Sequence, residues 1–259
     1  MSAIALSITD TSTMLRRTLT HMSRNRMMII LTTMGTPVIL LLMFYNLFGG
    51  VMQGNDANGL SYLNYVTPGI LMITVIYSTG IAAMRVNSDM TQGIVTRFRS
   101  MSISGGAVLN GHVIGSALGS LISIAVIFVL AYLMGFRSTA GLSEWLAAIG
   151  LIVLYVGAVM WLATAIGVWS KSPEAVNGVL FLFYILPFFS SAFVPTTSMT
   201  PVFAWIAEHQ PFTPIIDTIR ALLLGLPAGD KLPLALAWCV GIGFVSYVWA
   251  RVAYHRAGR

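Results

Sequence analysis

The 259-residue chain is too apolar to be a water-soluble domain: 57% of its residues are hydrophobic, 8% are charged and the mean hydropathy is +0.84. A soluble domain carries about 25% charged residues, because its surface faces water. The net charge of +6 matches the Lys/Arg excess of cytoplasmic loops in membrane proteins, so we expect no nucleic-acid partner.

Six continuous apolar runs predict an all-α polytopic membrane protein with six transmembrane helices. Each run is near the roughly 20 residues that cross a bilayer, and none contains Asp, Glu, Lys or Arg. The predicted spans are 27–48, 66–84, 108–134, 145–169, 175–194 and 232–250. These spans use about half of the 259 residues and leave little for a separate soluble domain, so 1–259 is predicted to be one transmembrane domain.

Basic residues indicate the orientation of these spans. An even number of spans places both termini on one side, and that side holds all but three of the 14 Lys and Arg residues. Because basic residues concentrate in cytoplasmic loops, we predict a plasma-membrane (bacterial inner-membrane) protein with both termini in the cytoplasm. The segment 10–26 repeats apolar residues at helical spacing among arginines, which predicts an interfacial helix resting on membrane lipid.

The third span carries a glycine at every fourth position, Gly111, Gly115 and Gly119. Small residues at this spacing let two helices approach closely in lipid. The pattern suits fixed helix packing and also a helix that slides against its neighbour. It does not identify a substrate.

Aromatic residues crowd the fifth span around Pro187, where we expect a kink because proline removes one backbone hydrogen bond. Tyr184 and Phe188 of this span, with Met34 and Met72 of the first two, are candidates to hold a flat hydrophobic ligand. Aromatic rings and flexible methionines suit an adaptable apolar site. The same side chains could instead face lipid or pack between helices.

The cytoplasmic interval 91–104 places apolar residues in a loop that has little core of its own. Ile94, Phe98 and Met101 need a partner to cover them, and Arg97 and Arg99 lie between them. The membrane surface is one candidate partner. A cleft in a cytoplasmic protein is the other, because apolar anchors beside arginines are typical of interface hot spots.

Two short helices are predicted within 200–225, on the outer side between the fifth and sixth spans. Thr200 and Thr213 each precede a proline, which predicts a capping hydroxyl followed by proline at the first helical position. Gly225 predicts the end of the second helix. These helices are too short to cross a bilayer, so we predict a re-entrant or interfacial hairpin.

Asp217 and Arg220 lie three residues apart on the second of these helices and can form an ion pair that eases their burial. The hairpin residues that we single out are Trp205, Pro211, Phe212, Pro214, Asp217 and Arg220.

The sequence contains no motif for a nucleotide or a metal. Neither Lys171 nor Lys231 lies in a Gly-Lys-Ser/Thr phosphate-binding loop, and no histidine pair has metal-ligand spacing, so we expect no cofactor on this chain. An intramembrane, rhomboid-like protease would need a serine facing a histidine, yet His112 shares one helix with Ser116 and Ser120. A non-catalytic membrane scaffold is a further alternative.

The order of these motifs resembles the membrane permease of type-2 ABC exporters, in particular the daunorubicin/doxorubicin-resistance branch. The resemblance covers nearly the whole chain and includes Thr67-Pro68-Gly69-Ile70 and the loop 93–104. Its most specific part is Gln210-Pro211-Phe212-Thr213-Pro214-Ile215-Ile216-Asp217, followed by Arg220-Ala221-Leu222-Leu223-Leu224-Gly225.

The resemblance implies an exporter subunit that moves a hydrophobic or amphipathic compound, such as an antibiotic, polyketide, lipid or glycolipid, out of the cytoplasm or inner leaflet. Two permease copies would pair, and each would rest on a separate ABC ATPase subunit that carries ATP and Mg. The loop 93–104 would be the coupling helix in a cleft of that ATPase. Substrate would leave between the permeases, along the first, second and fifth spans, with Met34, Met72, Tyr184 and Phe188 as candidate path residues. The outer hairpin would help to close this exit, and its six singled-out residues are the candidate gate residues.

Overall fold

The computed structural model describes residues 26–52, 61–91 and 105–256, and every regular element within them is helical. This confirms the all-α class for the described part of the chain. Two 3-10 helices, Leu186–Phe189 and Thr196–Ser198, precede α6. The α-helices are α1 Arg26–Met52, α2 Tyr62–Thr91, α3 Gly105–Met134, α4 Leu142–Trp169, α5 Pro173–Ile185, α6 Pro201–His209, α7 Phe212–Leu223 and α8 Lys231–Arg256.

Four of the described helices, α2, α3, α4 and α8, are long and apolar enough to cross a membrane. Two shorter apolar helices, Met34–Gly50 within α1 and Pro173–Phe189 around α5, accompany them. The whole of α1 has 27 residues, a length of about 40 Å at 1.5 Å per residue.

The fifth predicted span differs most from its expectation. The α-helix ends at Ile185, a 3-10 helix follows to Phe189, and the chain then turns at 190–193. Pro187 lies within the 3-10 helix, where its missing N–H and fixed ring disfavour further α-helix. A helix end therefore replaces the continuous, kinked helix that we expected over 175–194.

The central helix is α2, which contacts α1, α3, α4, α5 and α7. In its most apolar stretch 89% of the residues are buried, against 17% for α8. The hydroxyls of Thr67, Thr74 and Ser78 each donate to the carbonyl four residues earlier, which satisfies these buried groups within their own helix. The weakly covered α8 leaves apolar surface for lipid or a partner.

The end of α7 is formed by Gly225, which has a φ of +64° that most residues avoid. The Leu226 amide donates to the Ala221 carbonyl at 2.8 Å, and the Gly225 amide donates to Leu222. This pair of bonds is a Schellman motif. The helix stop predicted at Gly225 is confirmed.

The helix starts agree with prediction only in part. Pro201 is the first residue of α6, as expected, although the Thr200 side chain makes no capping hydrogen bond. In contrast, α7 begins at Phe212, so Thr213 lies inside the helix. Its hydroxyl accepts a hydrogen bond from the Ser191 amide at 3.3 Å. The cap predicted at Thr213 is therefore wrong, because a tertiary contact engages that hydroxyl.

Close approach between α4 and α2 depends on Gly167. A Cβ there would lie 2.5 Å from the Ala83 carbonyl oxygen and 2.8 Å from the Cβ of Val86. We expect Gly167→Ala to lower the free energy of unfolding by about 1–3 kcal/mol, measured as the midpoint shift of the purified protein. Gly157→Ala is the matched control on α4, because its Cβ meets open space. Equal shifts in the two variants would contradict this account.

Candidate functional site

Arg220 is the most deeply buried cation among the described residues, with 8% of its surface exposed. Its Nε donates to the Tyr65 carbonyl at 3.0 Å, and its Nη2 donates to the Ser191 carbonyl at 2.7 Å. Its Nη1 lies 2.5 Å from Asp217 Oδ1. The guanidinium carbon also lies 3.8 Å from the centre of the Tyr65 ring, within range of a cation–π contact.

Asp217 links this arginine to the start of α8. Its Oδ1 also accepts a hydrogen bond from the Ser191 hydroxyl at 2.6 Å, and its Oδ2 accepts one from Lys231 Nζ at 2.7 Å. The carboxylate is thus paired with a buried and an exposed cation, which offsets the cost of its own burial. We call Tyr65, Ser191, Asp217, Arg220 and Lys231 the Arg220 network.

The Arg220 network joins α2, the turn after α5, α7 and α8. The ion pair predicted between Asp217 and Arg220 is present. Sequence reasoning missed the other three members, because Tyr65 lies 155 residues from Arg220 and Ser191 lies 29 residues from it. Lys231 could have been suspected, since it is one of only three basic residues assigned to this side.

The turn 190–193 is also fixed to α2. The Tyr65 hydroxyl donates to the Ser191 carbonyl at 2.9 Å, and the Tyr62 hydroxyl donates to the Phe193 carbonyl at 3.2 Å. A Cβ on Gly69 would lie 2.8 Å from the backbone of Ala192, so the turn passes directly over this glycine. We call this end of the bundle the hairpin end.

The predicted gate residues lie in two different environments. On α6, Trp205 is 62% exposed and stacks on His209, with ring centres 4.5 Å apart. On α7, Phe212 and Pro214 are buried, and Pro211 just before it is half-buried. Thus α7 belongs to the core, while α6 lies on its surface.

The candidate substrate-path residues do not share one cavity. Met34 and Met72 are buried in the chain. Tyr184 stacks on Tyr77, with ring centres 5.1 Å apart. Phe188 is partly exposed and lines a cavity at the hairpin end. A path along these residues stays a prediction.

The predicted packing glycines lie on α3, which contacts α2 and α4. Gly111 and Gly115 are buried and Gly119 is half-buried. Their placement is compatible with close packing, and their role stays a prediction. The glycines that a distant backbone approaches most closely, Gly69 and Gly167, were not predicted.

A second polar cluster lies at the opposite end of the bundle. The Asn87 amide, on α2, donates to the Gly167 and Ser170 carbonyls at 3.2 and 2.6 Å, so it satisfies carbonyls at the C-terminal end of α4. Asp89 of α2 pairs with His112 of α3 across 3.2 Å.

The Asp89–His112 pair flanks the chain interval that joins α2 to α3. The predicted coupling residues Ile94, Arg97, Phe98, Arg99 and Met101 belong to that interval and lie outside the described residues. The predicted interfacial helix 10–26 likewise lies outside them, apart from Arg26.

Neither metal chemistry nor a serine–histidine pair is visible in the described part of the chain. No group of three or more His, Cys, Asp or Glu side chains there could hold a metal ion. His112 pairs with Asp89, and no hydrogen bond joins it to Ser116 or Ser120 within the described ranges.

The packed apolar helices define a polytopic, α-helical membrane protein. The chain matches the ABC-2 type transporter family over residues 9–224 and belongs to it.

Two curated relatives illustrate this family. The chain is 29% identical over 211 residues to the daunorubicin resistance ABC transporter permease protein DrrB1 of Streptomyces coeruleorubidus, covering 81% of this chain and 73% of the relative. It is 24% identical over 259 residues to the probable doxorubicin resistance ABC transporter permease protein DrrC of Mycobacterium tuberculosis (strain CDC 1551 / Oshkosh), covering 99% and 92%.

Proposed function

We propose that this chain is the permease subunit of an ATP-driven exporter of hydrophobic or amphipathic compounds. The observation that carries the proposal is the ABC-2 family match over residues 9–224, which includes the whole Arg220 network except Lys231. Both relatives are named as permeases of daunorubicin or doxorubicin resistance. Antibiotics of that kind are therefore the first substrates to test, alongside polyketides, lipids and glycolipids.

The proposed topology has six crossings, with both termini in the cytoplasm of a plasma-membrane (bacterial inner-membrane) protein. Besides the four long helices, α1 is long enough to cross. Pro173–Phe189 has 13 α-helical and 4 3-10 residues, a length of about 28 Å, close to the roughly 30 Å hydrocarbon core. The short α6 and α7 would then form the outer hairpin, with α7 re-entrant in the core.

Energy would come from a separate ABC ATPase subunit that holds ATP and Mg. We propose that 91–104 is the segment that contacts this subunit, through Phe98 and its neighbours. Support comes from the helices at its two ends, which the Asp89–His112 pair joins at 3.2 Å. A segment held at its base can transmit force to α2 and α3.

Assembly of two permease copies is also proposed, with lipid around them. Support comes from the apolar surface that the single chain leaves uncovered. On α3, Ile114, Leu118 and Ile122 are each exposed by 38% or more and recur every fourth residue, which forms one continuous face.

The proposed ATPase requirement is tested by purification. We expect the chain to co-purify with its ATPase and to hydrolyse no ATP alone. Adding daunorubicin to the complex should raise its rate of ATP hydrolysis severalfold. ATP hydrolysis by the purified permease alone would refute the assignment of ATP hydrolysis to a separate subunit.

The proposed gate is tested through Asp217. Asp217→Ala leaves the buried Arg220 cation with its bonds to the Tyr65 and Ser191 carbonyls but without its carboxylate. We therefore expect a loss of stability and, in the protein that still assembles with the ATPase, a severalfold fall in export per complex. Lys231→Ala is the milder comparison, because Lys231 is 59% exposed and such pairs contribute little. Normal export by a well-assembled Asp217→Ala complex would show that the pairing does not serve a gate.

A further inference from the structure

A cavity of about 310 Å³ lies at the hairpin end, between the 3-10 helix Leu186–Phe189 and the start of α6. Its lining is predominantly apolar. The residues that determine its chemistry are Phe188, Phe189, Ser190, Phe193, Thr200 and Phe203.

The aromatic part of the lining consists of two stacked pairs. Phe188 and Phe193 have ring centres 5.3 Å apart and planes inclined by 24°. Phe189 and Phe203 have ring centres 5.7 Å apart and nearly parallel planes, inclined by 3°. Such a wall favours another flat ring, which gains stacking in addition to burial, whereas a saturated chain gains burial alone.

The polar part of the lining is small. The Ser190 hydroxyl donates to the Pro187 carbonyl and accepts from the Ala192 amide, so the protein already satisfies it. The Thr200 side chain makes no capping hydrogen bond and can bond to a ligand. A mostly apolar pocket with one or two polar groups is the usual form of a small-molecule site.

The two walls of the cavity are held differently. Tyr62, Tyr65 and Arg220 fix the turn at 190–193 through bonds to its carbonyls. The opposite wall belongs to α6, where Phe203 is 47% exposed. One wall is therefore tied to the core, and the other lies on the surface of the protein.

We propose that this cavity binds a flat aromatic compound that carries a hydroxyl or carbonyl group at its edge. The rings would stack on the phenylalanine wall, and the edge group would bond to the Thr200 hydroxyl. In the proposed topology the cavity is on the outer side, so it is a site that an exported compound occupies on leaving. The placement in export rests on the proposed function, while the ligand class rests on the lining.

Thiol protection tests the site in the complex with the ATPase, reconstituted in phosphatidylcholine/phosphatidylglycerol vesicles. Cys239 is the only native cysteine, so Cys239→Ser gives a thiol-free background. Met199→Cys places a thiol on the cavity wall and keeps the Thr200 hydroxyl. Val202→Cys, in the first turn of α6, is 69% exposed and does not line the cavity, so it is the control. Labelling by a polar maleimide is followed with daunorubicin or with laurate present.

We expect saturating daunorubicin to slow labelling of Met199→Cys at least fivefold, and to change labelling of Val202→Cys less than twofold. Adding Phe203→Ala should abolish the protection, and Phe203→Trp should retain it. Laurate should protect weakly. No protection by daunorubicin, equal slowing at both thiols, or equal protection by laurate would overturn the proposal.

ATP hydrolysis in the same vesicles separates this site from the proposed function. Stimulation of ATP hydrolysis by daunorubicin without thiol protection would refute ligand binding in the cavity and would still support the proposed exporter function. Protection without stimulation by any tested compound would support the cavity and count against the exporter.

Discussion

Replacing Arg220 by alanine is expected to lower the free energy of unfolding by about 3–5 kcal/mol, because it removes one partner of a mostly buried ion pair. The Tyr65 and Ser191 carbonyls lose the Arg220 donors, and the Ser191 carbonyl keeps only the Tyr65 hydroxyl. Asp217 retains only Ser191 and Lys231. The shift would be measured as the loss of thermal stability and of monodisperse protein in detergent.

Arg137→Ala is the matched control for this effect. Arg137 lies at the same end of the bundle and donates to the Tyr132 and Phe136 carbonyls, but it is exposed. We expect Arg137→Ala to lower the free energy of unfolding by less than about 1 kcal/mol. Arg220→Lys should recover only part of the loss, because lysine cannot reproduce the fork of donors. If Arg220→Ala were as mild as Arg137→Ala, the network would not stabilise the fold.

Replacing Phe98 by alanine is expected to weaken binding of the ATPase by about 2–4 kcal/mol, the cost of truncating an aromatic hot spot. That is more than a tenfold loss of affinity. Binding would be measured between the detergent-solubilised permease and the purified ATPase. Arg97→Ala and Arg99→Ala should each cost less, because solvated rim charges contribute little.

Cross-linking distinguishes this contact from a contact with lipid. Phe98→Cys, in the Cys239→Ser background, should form a disulfide with a cysteine introduced into the ATPase cleft. If the thiol at position 98 reacts only with lipid-phase reagents while the complex stays intact, Phe98 does not contact the ATPase.

The sequence predicted features that depend on near neighbours. Continuous apolar runs, which need no tertiary information, placed the long helices. The end of α7 at Gly225 could be predicted because it depends on the backbone conformation of that residue. Asp217 and Arg220 pair because three residues separate them on one helix.

Features that depend on distant segments were missed. The pattern around Thr213 predicts a helix cap, but in the structure its hydroxyl accepts a hydrogen bond from Ser191, 22 residues away. Gly69 and Gly167 resemble many other glycines, and only the passing backbones of Ala192 and Ala83 show why a side chain does not fit. Pro187 was expected to kink a helix that instead ends two residues before it.

If the proposed function is correct, this permease and a separate ATPase together move a hydrophobic compound out of the cytoplasm. Inside-out membrane vesicles containing both subunits test this transport, because export then appears as uptake. We predict ATP-dependent accumulation of daunorubicin, or of another compound of the proposed classes, that disappears when either subunit is omitted. Accumulation that persists without the ATPase, or none for any such compound in vesicles with an intact complex, would contradict the claim.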